Sequence, residues 1–163
     1  MELITAHGRL LLRLGCIRMM FILRSALLED FEFLFALNRA TKSDYVAQTW
    51  GKWDDDFQYA HFKKAFDPSH YQIVMMEGRE VGSLWVDVRS DAVFLAEIQI
   101  LPAFQNRGLG TTLVQEVIAD ANRRSLPVEL QVLKVNPARR LYERLGFERF
   151  GETPTHIRMR KAI

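Results

Sequence analysis

Apolar residues recur in two rhythms along this chain, and each change of rhythm marks a predicted change of element. Phe21 to Arg24 reads as a short strand. From Leu28 to about Lys42, the residues Phe31, Leu34, Phe35 and Leu37 fall at helical spacing, with Glu29 and Asp30 in the first turn, where a helix dipole favours negative charge. A second helix is expected from near Asp54 to Phe66, with Phe57, Tyr59, Phe62 and Phe66 available for packing, and Asp67-Pro68 ends it. Tyr71 to Glu77, Glu80 to Val88 and Ala92 to Leu101 have strand character. Their short links, Gly78-Arg79 and Arg89-Ser90-Asp91, imply antiparallel pairing.

Helical spacing returns from Leu109 to Ala121, and Val128 to Val135 is an apolar strand reached by a crossover. Asn136-Pro137 is a helix start: Asn caps, and Pro occupies the first helical position, where its missing N–H costs nothing. Ala138, Leu141 and Leu145 form the buried stripe, and Gly146 is a natural stop. Phe147 to Phe150 and His156 to Lys161 close the chain as a hairpin. The predicted fold is α/β of the α+β type: a single mixed, mostly antiparallel sheet of six or seven strands flanked by about four helices.

Composition narrows the setting. The 163 residues suit one domain with a proper core, and 48% hydrophobic with 26% charged residues is ordinary for a globular protein. A net charge of +2 is too small to argue for nucleic acid. The single cysteine, Cys16, excludes an internal disulfide framework and fits a reducing, cytoplasmic compartment. No apolar run approaches the roughly 20 residues of a membrane span. Residues 1–18 are expected to be a leader outside a domain of residues 19–163: Arg9 to Leu14 resembles a short secretory apolar region, but Arg13 interrupts it and no small-residue cleavage site follows.

The stretch Gln105-Asn106-Arg107-Gly108-Leu109-Gly110 carries the strongest chemical signal. A strand precedes it and a helix follows, so its backbone presents N–H groups that have no intrahelical partner, at the positive end of the helix dipole. Gly108 and Gly110 remove side chains that would hold a ligand away. This is a phosphate cradle. It lacks the lysine and the spacing of a P-loop, which disfavours a nucleoside triphosphate.

Ile98 to Pro102 running into this turn matches the Q/R-x-x-G-x-G/A motif of the GNAT superfamily of acetyl-CoA-dependent N-acetyltransferases. Asn136 to Phe147, about 30 residues downstream, is similar to that superfamily's N-x-x-A/R-x-x-x-Y-x-x-x-G-F block. The resemblance covers roughly residues 20–163. It implies that backbone groups near Ile100 and Leu101 pair with the pantetheine arm, and that the amides of Gln105, Asn106, Arg107, Gly108, Leu109, Gly110 and Thr111 hold the pyrophosphate. It also implies that Asn136 contacts the cofactor arm and that Tyr142 stands near the thioester sulfur. Of the nearby arginines, Arg107 is the one expected to meet phosphate.

The resemblance implies transfer of acetyl from acetyl-CoA to a primary amine by direct attack, with no metal and no Ser or Cys nucleophile. Tyr142 is then the acid, or alternatively a core aromatic. Glu97 is the candidate base. Alternation puts Glu97, Gln99 and Leu101 on one strand face and Ile98 and Ile100 on the other. A carboxylate there either serves the cleft or pairs with a cation on a neighbouring strand. Asn136 either contacts cofactor or caps its helix only. Tyr45, Trp50 and Trp53, with Asp54-Asp55-Asp56, lie between the first two predicted helices and either hold a cationic amine or cap and fill core. The four histidines show no metal-ligand spacing. The acceptor is a small molecule bearing an amine, or a peptide or protein amine. A homodimer through the C-terminal strands fits the pattern. The other function compatible with this chain is a non-catalytic acyl-CoA-binding or regulatory module.

Overall fold

The period-two segments pair into one sheet and the helical stripes cover its two faces. The computed structural model describes residues 21–163, so the expected leader and Cys16 lie outside the described residues. Its strands are β1 (Ile22–Ser25), β2 (Gln72–Met76), β3 (Arg79–Val88), β4 (Val93–Ile100), β5 (Val128–Leu133), β6 (Glu148–Glu152) and β7 (His156–Lys161). Its helices are α1 (Phe31–Trp50), α2 (Asp55–Ala65), α3 (Leu109–Arg123) and α4 (Arg139–Arg144). The sheet order is β1-β2-β3-β4-β5-β7-β6, antiparallel throughout except for β4 beside β5. The expected mixed, mostly antiparallel sheet with four helices is the observed one, with seven strands.

Glu77 and Gly78 link β2 to β3, both with positive φ (50° and 76°), the two-residue turn whose twist suits a hairpin. On one face, Val114, Val117 and Ala121 of α3 pack with Val93, Leu95, Val128 and Leu130, while its Leu109 and Leu113 pack with Phe21, Val74 and Val81. On the other, Leu34 of α1 packs with Ala26, Tyr71 and Ile73. Each fully buried Leu or Val contributes roughly 1.5–3 kcal/mol, so these two interfaces fix the helices to the sheet.

Three local outcomes differ from the sequence expectations. Helix α1 continues to Trp50, because nothing from Ser43 to Trp50 breaks a helix. It ends at Gly51, which takes φ 96° and donates its N–H to the Ala47 carbonyl at 2.8 Å. Tyr45 and Trp50 are therefore on α1 itself, and only Trp53 is in the connection to α2. Helix α4 begins at Arg139 rather than Pro137, since the chain enters it through a tight turn with bonds from Arg139 N–H to Asn136 O and Arg140 N–H to Pro137 O. Finally, Trp85 faces Glu97 and Val86 faces Leu95, so Ala96 is an unpaired, bulged residue of β4.

That bulge resets the strand's phase. Before it, Val93 and Leu95 pack under α3; after it, Ile98 and Ile100 pack on that side, against Leu109 and Leu113. Glu97 and Gln99 are thereby turned toward α1, where each finds a partner. The predicted alternation is the observed one from Glu97 to Ile100, where β4 ends.

Candidate active site

Strands β4 and β5 separate partway along their length. They pair only at Val93–Val128, Phe94–Glu129 and Leu95–Leu130, although β4 continues beside β3 to Ile100 and β5 beside β7 to Leu133. The wedge between them has free strand edges. Leu101 N–H donates to the Val81 carbonyl at 2.8 Å, so alternation commits residues 97, 99 and 101 to β3 and directs the backbone groups of Ile98 and Ile100 into the wedge. Ile100 is thus available at the cleft, with its carbonyl already accepting from Gln105 Nε2 at 2.8 Å. Leu101 is not: its carbonyl also accepts from Phe104 N–H at 2.8 Å, and Ile98 takes its place.

The wedge leads into a cleft of about 600 Å³, within the usual range for ligand sites. One side is the turn after β4. Gly108 takes φ 88° as the N-cap of α3, and Asn106 also lies in the left-handed region, at φ 59°, which asparagine tolerates. The first helical bond runs from Thr112 N–H to the Gly108 carbonyl, leaving the amides of Leu109, Gly110 and Thr111 without intrahelical partners. A Cβ on Gly110 would sit 3.4 Å from Ile100 Cδ1 and 3.7 Å from Leu141 Cδ2, so the glycine forms a low floor between strand and helix. Gln105, Asn106, Gly108, Gly110 and Thr111 all line the cleft, and Leu109 turns its side chain into the core.

Arginines reach the cleft from another element than expected. Arg107 lies over the Phe104 ring, 5.6 Å from its centroid, and is outside the lining. Arg140 and Arg144 of α4 line it instead, and among the described residues neither makes an ion pair, whereas Arg139 is held by Glu143 at 3.2 Å. Their i, i+4 spacing was visible in the sequence; the helix's rotation toward the cleft was not.

Asn136 and Tyr142 both line the cleft. Asn136 Oδ1 accepts the Ala138 N–H at 2.9 Å, so it caps the turn and still borders the site. Tyr142 is 7% exposed, with its ring edge-on to Phe147 at 5.8 Å. Burial pushes its phenol up to about 12, so it stays protonated through the neutral range. Among the described residues no side-chain hydrogen bond engages its hydroxyl.

The α1 side is polar. Asn38, Thr41, Lys42 and Tyr45 share one helix face at i, i+3, i+4 and i+7 spacing, and Thr41 and Tyr45 line the cleft. Lys42 Nζ donates to Glu97 Oε2, and Gln99 Nε2 donates to Asn38 Oδ1 at 3.3 Å. Glu97 is therefore paired with a lysine from a helix rather than with a cation of a neighbouring strand, and it stands just outside the lining. Tyr71, packed nearby, has its phenol raised first by burial and then by the charge of Glu97.

The three candidate acceptor aromatics are not brought together. Tyr45 is in the cleft, but Trp50 borders a separate shallow groove with Phe57 and His61, and Trp53 donates its Nε1–H to Asp55 at 2.9 Å. Asp54 caps α2 through the Phe57 N–H at 3.1 Å, and Asp55 pairs with Arg39 at 2.9 Å. Among the described residues, no group of three or more His, Cys, Asp or Glu could hold a metal ion, and no helix is long and apolar enough to cross a membrane.

Comparison with known proteins bears on this geometry. A family model described as an acetyltransferase (GNAT) domain matches residues 67–149. Mycothiol acetyltransferase of Thermomonospora curvata is 34% identical over 107 residues, covering 62% of this chain and 35% of that protein. An uncharacterized N-acetyltransferase of Methanocaldococcus jannaschii is 30% identical over 147 residues, covering 83% of this chain and 63% of that protein. The chain thus spans about a third of the first relative and less than two thirds of the second. Among solved structures, PaiA N-acetyltransferase of Thermoplasma acidophilum in complex with coenzyme A matches with a TM-score of 0.72 at 15% identity, over 89% of this chain and 100% of that one. This last likeness is one of fold.

Proposed function

The chain belongs to the GNAT family of acetyltransferases, and from that premise we propose that it transfers acetyl from acetyl-CoA to a primary amine by direct attack in a ternary complex. The observation that carries the reading is the wedge between β4 and β5, because it ends at the N-terminus of α3 and has Tyr142 on its wall. The donor set suits CoA: Ile98 and Ile100 offer strand edges to the amides of a pantetheine arm, as in strand addition. The amides from Leu109 to Thr111 and the guanidiniums of Arg140 and Arg144 suit a pyrophosphate.

In this proposal the amine nitrogen attacks the thioester carbonyl, the C–S bond breaks, and the sulfur leaves with the electron pair. An alkylamine of pKa near 10.4 is mostly protonated at neutral pH, so exposing its lone pair costs roughly 4–5 kcal/mol. Glu97 takes that proton directly or through water. Lys42 occupies its Oε2, and no side chain among the described residues bonds its Oε1. Tyr142 donates its proton to the departing sulfur, and the second proton shed by the acylated nitrogen restores the phenol through solvent. Its raised pKa keeps the phenol a hydrogen-bond donor at every working pH. Positioning of two substrates beside fixed N–H groups supplies much of the remaining acceleration.

Calorimetry with acetyl-CoA, run beside a thiol-release assay over a panel of amines, tests the proposal. Binding together with release for at least one amine is the expected result. Binding with no release from any amine supports the acyl-CoA-binding module instead, and failure to bind acetyl-CoA removes both readings.

A further inference from the structure

Two buried side-chain polar atoms have no hydrogen-bond partner among the described residues: the hydroxyl oxygen of Ser83 and the carbonyl oxygen Oε1 of Gln99. The two residues face each other across β3 and β4, 0% and 4% exposed. A buried carbonyl without a donor destabilises a fold, so its retention calls for a cause. Ser83 does not border the cleft; Gln99 does, beside Tyr45 and Thr41.

Three polar side chains around it have other partners. Thr41 donates to the Leu37 carbonyl at 2.8 Å, Asn38 Oδ1 accepts from Gln99 Nε2, and Lys42 is held by Glu97. None of these supplies the donor that Oε1 lacks. Glu97 and Gln99 are two residues apart on the same strand face, which places their side chains roughly 7 Å apart along β4.

We propose that Gln99 is a specificity residue of the acceptor site, whose carbonyl oxygen receives a hydrogen bond from a second N–H group of the amine being acetylated. This rests on the transferase reading above. The acceptor class it selects is a primary amine that carries another N–H donor several bonds from the reacting nitrogen. An acceptor that presents an ester oxygen or an ether at that place leaves the carbonyl unmet and brings two acceptors together, and the site discriminates against it. Amino amides and diamines share the required chemistry, and matched analogues separate them.

The test uses Gln99→Met, which keeps length and removes both polar atoms, against the unaltered protein. Substrates are an amino amide, a diamine, and for each an analogue in which the second N–H is replaced by oxygen. The expected result is a Tm that holds or rises for Gln99→Met, since removal of an unpaired buried carbonyl offsets loss of the Nε2 bond to Asn38. With it, KM should rise about tenfold or more for the amino amide, the diamine or both. The KM of the oxygen analogues, kcat, and the Kd for acetyl-CoA should change little. A rise confined to the amino amide or to the diamine supports the site and names the source. A lowered Tm, or a KM change equal for N–H and oxygen analogues, overturns the proposal.

Ser83→Ala guards against an internal donor. A Tm that holds or rises is expected, since this buried hydroxyl is unpaired as well, and a lowered Tm in both variants would mean that the serine hydroxyl satisfies the carbonyl. Absence of thiol release from the unaltered protein with every amine would overturn the transferase reading instead. The Tm comparison would still decide whether the carbonyl is orphaned.

Discussion

The two walls of the cleft are built in different ways. The wall of the Gln105–Gly110 turn, α3 and α4 offers mainly backbone amides, a left-handed glycine and two unpaired arginines. The α1 wall offers side chains clasped to β4 by contacts that join residues 55 and 61 positions apart, Lys42 to Glu97 and Asn38 to Gln99. A wall of backbone groups suits a ligand part that never changes, such as pyrophosphate, and tolerates most substitutions outside its glycines. A wall of side chains can be altered one residue at a time. On the proposed reading the constant substrate meets one wall and the variable substrate the other, and the contrast can be broken experimentally.

The largest expected effect is at the junction of the walls. Tyr142→Phe should lower kcat by about 100-fold or more with the Kd for acetyl-CoA nearly unchanged, as stopped assays and calorimetry will read. Full turnover at saturating substrates would remove Tyr142 from the chemistry. Glu97→Gln should cost slightly less, up to about 100-fold, and should change the pH–rate profile on the limb where the base ionises. An unaltered profile and rate would reject Glu97 as the base.

A pH effect on stability follows from the same tyrosine. Its phenol is raised from 10.0 in the unfolded chain to about 12 in the fold by burial, so the folded state holds the proton more tightly. That contribution is fully present below about pH 10 and is lost as pH climbs toward about 12. Urea unfolding across this range should show a loss of which Tyr142→Phe removes on the order of 2–3 kcal/mol, while the share of Tyr71, also raised by burial, persists in the variant. An identical slope in the variant would contradict the burial argument.

Smaller effects separate the walls. Replacing Arg140 and Arg144 together by Ala should weaken acetyl-CoA about tenfold while leaving the KM of the amine alone. Arg107→Ala should do neither, and a larger loss there than in the double variant would reverse the assignment. Smallest is Gly110→Ala. Its added Cβ meets only ordinary contacts at 3.4 and 3.7 Å, so Tm should hold or rise slightly. Acetyl-CoA binding should weaken a few-fold as the floor is raised.

The backbone wall was the legible one. Gly108, Gly110, the Asn136-Pro137 turn and the Gly146 stop act on their immediate neighbours, so short motifs reveal them. The apolar stripes of α3 and the period-two runs of β2 to β4 likewise fix the layers and strand pairing. What was hidden depended on partners distant in sequence. Leu101 was expected to present backbone to the cofactor, yet its pairing with Val81 turns it to β3 and leaves Ile98 and Ile100 facing the wedge. The segment from Ser43 to Trp50 shows little helical stripe, and only Gly51 limits α1. Arg140 and Arg144 carry the same charge as Arg107, and only the rotation of α4 selects them. The pairing of Glu97 with Lys42 requires knowing that α1 crosses β4.

The bulge at Ala96 also bears on how this chain can tolerate change in length. Before it β4 turns Val93 and Leu95 to α3; after it Ile98 and Ile100 stand on that side and Glu97 and Gln99 face α1. A one-residue deletion at Ala96 would close the bulge into a regular ladder in which Leu95 and Glu97 are neighbours on opposite faces, so Glu97 and Gln99 would still face α1 and both isoleucines α3. Ala96 is thus the place in β4 where the chain can change length by one residue without turning either half of the strand over.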